Sequence, residues 1–309
     1  MIENIIMEMA IENNKKVRSA AERHFLAQPI VYKFGIWGIG YLPTWLSYWF
    51  ARRIADISYL FYKRARQHVK KNLKRVFPET GENEITSLAL NTFRNYSTYL
   101  VDYGRFRSID KDSLLEAIKR FDGMENLNTA IGRGKGVVLL TGHLGNWELG
   151  AVFVGKHNIK INVVTFRDGI ETIDDIRERY RKQHNVNTVI LGDSPFATLE
   201  LANALQKNEV VAMLVDRNSI GSGNSVMVNF FGKTAHFPGG PFALARMTGA
   251  SILPAFVVKD GNGYRVIVEK PVIIENGEEN TEQYAQDIIT LFENRIREYP
   301  DQWYNFVEI

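Results

Sequence analysis

The chain has 309 residues, of which 45% are hydrophobic, so it is long enough to bury a large core in one or two domains. It contains no cysteine, which excludes disulfides, thiolate metal ligands and a cysteine nucleophile. The formal net charge of +3 is small and does not require a nucleic-acid partner. We therefore expect a folded protein of ordinary composition that binds no nucleic acid.

The N-terminal part begins with a charged extension, residues 1–28, which lacks the apolar core of a signal peptide. Residues 34–50 then form an apolar stretch that is rich in Trp and Tyr and is interrupted by Pro43. Trp and Tyr favour the membrane interface, and the stretch is slightly short for a spanning helix. We expect it to lie on the membrane surface. A buried helical hairpin and a transmembrane helix are the alternatives.

Residues 51–77 are predicted to form one helix, because apolar residues such as Tyr59, Val69 and Leu73 recur along one face. The opposite face is basic, with no acidic residue between Asp56 and Glu79. The residues expected to contact lipid head groups are Lys63, Arg64, Lys70, Lys71, Lys74 and Arg75. Beside the aromatic stretch, this charge favours an anionic membrane surface. A solvated face and an acidic protein partner are the alternatives.

The remaining pattern divides the chain into a helical part and an α/β part. Further helices are predicted over 84–107 and 112–120, so residues 29–120 form a helical, membrane-interfacial region. In residues 121–309, apolar runs predict strands at 136–141, 161–166, 188–191, 210–215, 226–231, 252–258 and 264–269. Helices are predicted from 146 and over 172–184, 196–207, 239–248 and 280–298. This alternation is typical of an α/β domain with a largely parallel central sheet flanked by helices.

A histidine follows the first of these apolar runs. His143 lies two residues after the run 136–141, in a glycine-flanked loop, and ligands of open α/β sheets bind at the carboxyl ends of the strands. Asn146 is a plausible N-cap that places Glu148 in the first helical turn. We expect Glu148 to accept a hydrogen bond from one ring nitrogen, which leaves the other nitrogen as a general base. A purely structural histidine is the alternative.

The segment 143–148, His-Leu-Gly-Asn-Trp-Glu, resembles the signature block of the lipid A biosynthesis acyltransferases, the late lauroyl and myristoyl transferases. They belong to a wider lysophospholipid acyltransferase group with a His-x4-Asp/Glu motif. Other blocks similar to the family occur, in its order, at Asn72-Leu73, Phe77-Pro78, Arg167, 215–217, 237–241, 243–245, 248–250, Pro254 and 299–303. The resemblance covers about residues 30 to 305. Many members carry a basic tail after Trp303, and this chain has no match for it.

This resemblance implies transfer of a fatty acyl chain from an acyl carrier protein or coenzyme A thioester to a hydroxyl of a membrane glycolipid. A lipid A precursor is the default acceptor, and a phosphatidylinositol mannoside is the alternative. His143 would act as the general base with Glu148 as its partner, without a metal or a bound cofactor. We expect the protein on the cytoplasmic face of the inner membrane, peripheral or shallowly inserted.

Several residues are candidates for supporting roles. Arg167 could stabilise the oxyanion, and Asp216 could orient the acceptor or share in proton handling. The tentative substrate contacts are Asn146, Arg217, Gly239 and Gly240. The structural alternatives are a surface cation for Arg167, a local Asp216–Arg217 ion pair, and a helix-start turn for the two glycines.

Two other function classes stay open at this point. A thioesterase could use the same His–Glu pair with water as the acceptor, and a non-catalytic lipid-binding protein could share the fold. The chain has no Gly-x-Ser-x-Gly and no His-Glu-x-x-His, which excludes a serine-hydrolase elbow and a zinc-protease helix.

Overall fold

The computed structural model describes residues 42–106, 116–156, 159–165, 178–179, 181–191, 196–217, 225–274 and 281–309. The N-terminal extension, residues 34–41 and Arg167 lie outside these residues, as does most of the helix predicted over 172–184. Residues 178–179 and 181–183 of that helix are described and are helical.

From residue 42 onward, the described N-terminal layer has three helices: α1 Thr44–Phe61, α2 Lys63–Val76 and α3 Glu82–Phe106. The prediction of one continuous helix over 51–77 is wrong, because the backbone leaves the helical region at Tyr62, with φ −89° and ψ 67°. The Arg66 guanidinium stabilises the break by donating to the carbonyl oxygens of Tyr59 and Leu60, at 2.8 and 3.2 Å. Those carbonyls lie in the last turn of α1, where partners within the helix are missing.

The predicted apolar face of this region is confirmed. Tyr59, Val69 and Leu73 are buried, and they pack with Phe93 of α3 in a separate hydrophobic cluster. The rings of Tyr59 and Phe93 meet edge to face with centroids 5.3 Å apart. Helix α3 also confirms the helix predicted over 84–107.

The remaining elements build an α/β unit. The strands are β1 Ile118–Asp122, β2 Val137–Thr141, β3 Ile161–Thr165, β4 Val186–Ile190, β5 Val210–Leu214, β6 Ser225–Phe230, β7 Lys233–Pro238, β8 Ser251–Asp260 and β9 Gly263–Val268. The helices are α4 Met124–Gly132, α5 Trp147–Lys156, α6 Ala197–Gln206, α7 Gly240–Thr248 and α8 Thr281–Glu298, followed by a 3-10 turn at Pro300–Gln302.

Seven strands form the central sheet in the order β1-β9-β8-β2-β5-β3-β4. From β8 to β4 all neighbours are parallel, whereas β9 is antiparallel to β8 and β1 is parallel to β9. One face of the sheet packs against α4 and α5, and the other packs against α6, α7 and α8. This architecture confirms the predicted α/β fold with a largely parallel sheet. Strands β6 and β7 form a separate antiparallel hairpin.

The helix predicted over 112–120 is wrong from residue 118 onward, because residues 118–122 form β1. This strand pairs in parallel with β9, so that Phe121 lies opposite Val266. The Phe121 ring also packs against the ring of Phe153 in α5, with centroids 4.9 Å apart. These long-range contacts outweigh a short local helical pattern. Helix α4 and strand β7 were not predicted.

A buried polar cluster joins the helical layer to the sheet. The hydroxyl groups of Tyr48 in α1 and Tyr264 in β9 both donate to the carboxylate of Asp102 in α3. The Lys259 ammonium lies 3.3 Å from the same carboxylate. Burial, and then the negative charge of Asp102, raise the pKa of Tyr48. The two tyrosines therefore stay protonated as donors that tie α1, α3 and the β8–β9 hairpin together.

The predicted basic face of α2 is only partly solvated. Lys63 and Arg64 are exposed. Arg75, however, donates to the carbonyl oxygens of Phe230, Lys233 and Ile309, so it is a structural cation rather than part of a solvated face. Lysines of α2 also have partners. Lys70 and Lys71 form ion pairs with Glu82 and Glu308, and Lys74 donates to the Thr80 carbonyl oxygen. Long basic side chains reach neighbouring backbone that periodicity alone does not reveal.

Helix α1 exposes a broad apolar surface, which we call the α1 apolar face. Its members are Trp45, Trp49, Phe50, Ile54, Ile57, Leu60 and Phe61. Half of the large hydrophobic side chains exposed in the described residues belong to this one helix. Such a concentrated patch marks an interaction surface. None of the described helices has both the length and the apolar character needed to cross a bilayer.

Candidate active site

The pairing of β2 with β5 decides which side chain faces His143. The two strands are parallel and in register from Val137 opposite Val210 to Thr141 opposite Leu214, a constant offset of 73 residues. His143 and Asp216 each follow their strand by two residues, and the same offset of 73 separates them. The strand register therefore continues into the loops and brings this pair together at the carboxyl edge of the sheet.

The two side chains form a close dyad, in which Asp216 is buried and His143 is partly exposed. The Nδ1 atom of His143 lies 2.7 Å from Oδ1 of Asp216. The second carboxylate oxygen, Oδ2, accepts from the His143 backbone N–H at 2.8 Å and from the Trp303 indole N–H at 2.9 Å. The Asp216 side chain is 1% exposed and that of His143 is 15% exposed. The imidazole is thus held through Nδ1 and remains partly accessible.

The electrostatics of the dyad favour an ionised carboxylate. Burial alone would raise the pKa of Asp216, but the charge and hydrogen bond of His143, assisted by Arg217 and Trp303, lower it to about 2. An ionised Asp216 can only accept at Oδ1, so Nδ1 of His143 carries the proton there. This tautomer places the imidazole lone pair on Nε2. The arrangement is that of a general base whose ring is oriented by a carboxylate.

Two glycines make the histidine loop possible. A Cβ atom on Gly142 would lie 3.0 Å from Cγ of Asp216, so a side chain there would displace the carboxylate. Gly145 has φ +65°, and a Cβ atom on it would lie 2.0 Å from the Val257 carbonyl oxygen. Asn146 then caps α5, because its Oδ1 accepts from the Leu149 N–H at 3.1 Å. The predicted N-cap is confirmed.

Glu148 has a partner different from the one predicted. Its carboxylate accepts two hydrogen bonds from Arg181, with Nη2 to Oε1 at 2.6 Å and Nε to Oε2 at 3.1 Å. Both side chains are almost fully buried, at 5% and 6% exposure. Among the described residues, Asp216 is the carboxylate that orients His143, so the predicted His143–Glu148 hydrogen bond is corrected. The bidentate geometry of a guanidinium explains the preference of Glu148 for Arg181.

An apolar cavity begins beside the dyad. Its upper wall includes Trp147, whose ring meets that of His143 edge to face at 5.3 Å between centroids. The cavity continues between α5 and the sheet, with an empty volume of about 700 Å³ including its solvent-open part. Its other lining residues include Thr141, Glu148, Gly150, Ala151, Ala212, Ala255, Phe121 and Phe153. Small residues on α5 and on the strands below it leave this space, which suits an apolar ligand.

The other predicted site residues have different placements. Arg217 is exposed next to Asp216, whose carboxylate bonds to His143 rather than forming only a local pair with Arg217. Gly239 and Gly240 begin α7, and the Ala243 N–H donates to the Gly239 carbonyl oxygen at 3.1 Å. This is a helix-start turn, the structural alternative for the two glycines. A contact of these glycines with substrate stays a prediction, as does the role of Arg167.

Sequence reasoning missed the roles of Arg181 and Trp303. Trp303 was recognised only as part of a family block, and its indole donates to Asp216. Arg181 belongs to no motif that we recognised. An arginine in a polar helical segment is usually exposed, so the sequence did not predict its buried ion pair with Glu148. The pairing of His143 with Asp216 had one usable signal, since both residues directly follow buried apolar runs.

The fold and the site together define an α/β enzyme with a carboxylate-oriented histidine that contacts Trp147 in the wall of an apolar cavity. The chain belongs to the bacterial lipid A biosynthesis acyltransferase family, whose sequence model matches residues 14–308. The resemblance seen in its motifs is confirmed, and the protein is an acyltransferase of the lipid A or glycolipid type.

Its curated relatives cover two groups of lipid acyltransferases. The chain is 28% identical to the lipid A biosynthesis lauroyltransferase of Escherichia coli K12, over 76% of each chain. It is 24% identical to the palmitoleoyltransferase of the same organism, over 86% of this chain and 87% of the relative. It is 26% identical to the phosphatidylinositol mannoside acyltransferase of Mycolicibacterium smegmatis, over 77% of each chain.

The Glu148–Arg181 ion pair generates a stability prediction. Glu148→Ala leaves a buried guanidinium without its bidentate partner, so we expect the free energy of unfolding to fall by about 3–5 kcal/mol. The double variant Glu148→Leu/Arg181→Met replaces both charges with apolar groups and should recover much of that loss. Chemical denaturation of the two variants and the wild type measures both effects.

The same variants test whether Glu148 has a chemical role. If the double variant is stable and retains acyl transfer, the ion pair serves the fold. A stable but inactive double variant would contradict that interpretation and support a direct role of Glu148 or Arg181 in catalysis.

Proposed function

We propose that this protein transfers a fatty acyl chain from a thioester to a hydroxyl group of a membrane glycolipid, with His143 as the general base. The observation that carries the proposal is the His143–Asp216 dyad, whose imidazole contacts Trp147 in the wall of an apolar cavity. Family membership supports the reaction class. The thioester is carried by acyl carrier protein or coenzyme A, and neither donor requires a resident cofactor.

In the proposed step, Nε2 of His143 removes the proton of the acceptor hydroxyl while its oxygen attacks the thioester carbonyl. Asp216 stabilises the resulting imidazolium across the 2.7 Å contact. The tetrahedral intermediate then collapses, the carbon–sulfur bond breaks, and the thiolate takes the proton from the imidazolium. The ester and the free thiol are the products, so the dyad returns to its starting state. Arg167 or a backbone N–H is proposed to stabilise the oxyanion.

The cavity beneath α5 is proposed to hold the acyl chain of the donor. It is lined almost entirely by apolar side chains, and it begins at Thr141, Trp147 and Glu148, next to the dyad. An alkyl chain buried there would leave water, which is the main source of its binding free energy. The thioester carbonyl would then remain at the cavity mouth, within reach of the imidazole.

The α1 apolar face is proposed to insert shallowly into the cytoplasmic surface of the inner membrane, which delivers the lipid acceptor. Trp45 and Phe61 are 70% and 79% exposed, and amphipathic aromatic side chains favour the interfacial zone. Exposed cations of α2, such as Lys63 and Arg64, lie next in the chain and would meet anionic head groups.

The acceptor is proposed to be a lipid A precursor, with a phosphatidylinositol mannoside as the alternative. The family description favours the first, while relatives named for the second align over 77% of this chain at similar identity. Transfer assays with each acceptor and a common acyl coenzyme A donor decide between them.

Replacing either member of the dyad should slow the chemistry while the protein stays folded. We expect His143→Ala to slow acyl transfer by roughly 100- to 10,000-fold, because the general base is lost. We expect Asp216→Asn to slow it by about 100-fold or more. The acid limb of the pH–rate profile of Asp216→Asn should move to lower pH, because the imidazolium of His143 loses a neighbouring negative charge. Radiolabelled acyl transfer measured across pH gives both the loss of rate and the shift of the acid limb.

The matched controls are His236→Ala on the β6–β7 hairpin and Asp260→Asn at the β8–β9 turn, which should keep wild-type rates. Full transfer by folded His143→Ala would exclude the proposed base. Release of free fatty acid without transfer to any lipid would indicate a thioesterase. Lipid binding with no turnover would indicate a non-catalytic protein.

Filling the cavity should change the preferred chain length. Ala255→Leu adds bulk between the sheet and α5, so we expect the rate ratio of palmitoyl to lauroyl coenzyme A to fall by about tenfold or more. Ala204→Leu adds the same volume at an equally buried position on the opposite face of the sheet and should leave the ratio unchanged. An unchanged ratio in Ala255→Leu would place the acyl chain elsewhere.

Polar substitutions on the α1 apolar face should weaken membrane binding. We expect the triple variant Trp45→Ser/Trp49→Ser/Phe61→Ser to bind phosphatidylglycerol vesicles about tenfold or more weakly, because three exposed rings are lost from the interface. The control Leu199→Ser/Met247→Ser removes exposed apolar side chains from α6 and α7 and should bind normally. Equal co-sedimentation of the triple variant and the wild type would refute the proposed surface.

A further inference from the structure

The last eight residues, Gln302–Ile309, form a segment that we call the C-terminal strap. It crosses the histidine loop, where the Tyr304 N–H donates to the His143 carbonyl oxygen at 2.7 Å and the Gln302 carbonyl oxygen accepts from the Gly145 N–H at 2.9 Å. The backbone on both sides of the imidazole is therefore held by the end of the chain. No step of the proposed reaction uses these contacts directly.

The strap also holds the carboxylate of the dyad. The indole N–H of Trp303 donates to Oδ2 of Asp216 at 2.9 Å, and the side-chain amide of Asn305 donates to the Asp216 carbonyl oxygen at 3.1 Å. Trp303 and Asn305 are 4% and 1% exposed, so water does not compete freely for either bond. Both the side chain and the main chain of Asp216 are thus fixed from the strap.

The indole N–H has a specific effect on the dyad. Oδ1 of Asp216 faces Nδ1 of His143, while Oδ2 accepts from Trp303 and from the His143 N–H. These three donors define the plane of the carboxylate, and that plane directs one lone pair of Oδ1 at the ring. Without the indole donor, one of the two bonds that restrain Oδ2 is lost, and the carboxylate gains freedom to rotate.

Helix α2 anchors the other end of the strap. The Asn72 side-chain amide donates to the carbonyl oxygens of Asn305 and Val307, at 3.1 and 2.7 Å, and its Oδ1 accepts from the Ile309 N–H at 3.3 Å. Asn72 is 3% exposed. A residue of the helical layer is therefore connected to the dyad through one continuous set of hydrogen bonds.

We propose that Trp303 is a positioning residue, which orients Asp216 through its indole N–H and so fixes the tautomer of His143, and that Asn72 holds the strap in place for it. This role rests on the proposed function of the dyad as base and orienting carboxylate. Trp303 also packs against Phe230 and Phe231, with ring centroids 6.0 and 6.2 Å away, so packing and positioning have to be separated by experiment.

The separating variant is Trp303→Phe, which keeps an aromatic ring and removes the N–H donor. We expect kcat to fall by roughly 10- to 100-fold, as for loss of a hydrogen bond to a charged group at a reacting centre, while KM for the acyl thioester stays unchanged. In the ¹⁵N spectrum of the imidazole, assigned by comparison with His143→Gln, the share of the Nε2–H tautomer of His143 should rise. Asn72→Leu should also lower kcat and raise the share of the Nε2–H tautomer, each by a smaller amount.

The packing control is Phe230→Leu, which removes a ring beside Trp303 and leaves its N–H bond to Asp216. It should lower the unfolding temperature without changing the His143 tautomer. If Trp303→Phe does not fold, the benzothiophene analogue of tryptophan at position 303 keeps the bicyclic shape without the N–H and applies the same test. A wild-type kcat and tautomer in either variant would overturn the positioning role, while the effect of His143→Ala would still carry the proposed acyl transfer.

Discussion

The hydrogen bond between His143 and Asp216 depends on the in-register pairing of β2 with β5, and the rest of the site is arranged around it. Both strands end at the same edge, and each is followed two residues later by one member of the dyad. A shift of a single residue in that register would separate the side chains by about 3.3 Å. Gly142 provides the space beside the carboxylate, and Trp303 closes it from the strap. The sheet core therefore sets the geometry that the chemistry needs.

The two acidic residues of the site have separate tasks because their cationic partners differ. Asp216 faces an imidazole, which can gain and lose a proton during a reaction. Glu148 faces a guanidinium, which stays charged, so their bidentate ion pair is a permanent feature of the interior. This division separates a titrating pair, His143 with Asp216, from a fixed pair whose Glu148 lines the cavity. It also explains why a glutamate five residues after a histidine does not have to be that histidine's partner.

Much of the fold could be predicted because the central strands are largely buried on both faces. Apolar runs mark β2 and β5 in the sequence, and β3 is apolar apart from Asn162 and Thr165. Strand β1 could not be predicted, since Ile118–Asp122 carries three charged residues in five and is stabilised by β9 and Phe153. The break between α1 and α2 depends on Arg66, whose guanidinium bonds to carbonyls of the preceding helix. Such contacts between side chain and backbone leave no periodic signal.

The sequence by itself determined the family, the α/β class and the presence of His143 and Asp216 after buried strands, because these are local patterns of residues. Only the tertiary structure decided that Asp216 orients His143, that Glu148 pairs with Arg181, and that Arg75 bonds to backbone carbonyls instead of facing solvent. The physical reason is that strand order and loop path bring together residues 73 or 33 positions apart along the chain. Local patterns place each residue on its element, but the packing of the elements selects its partner.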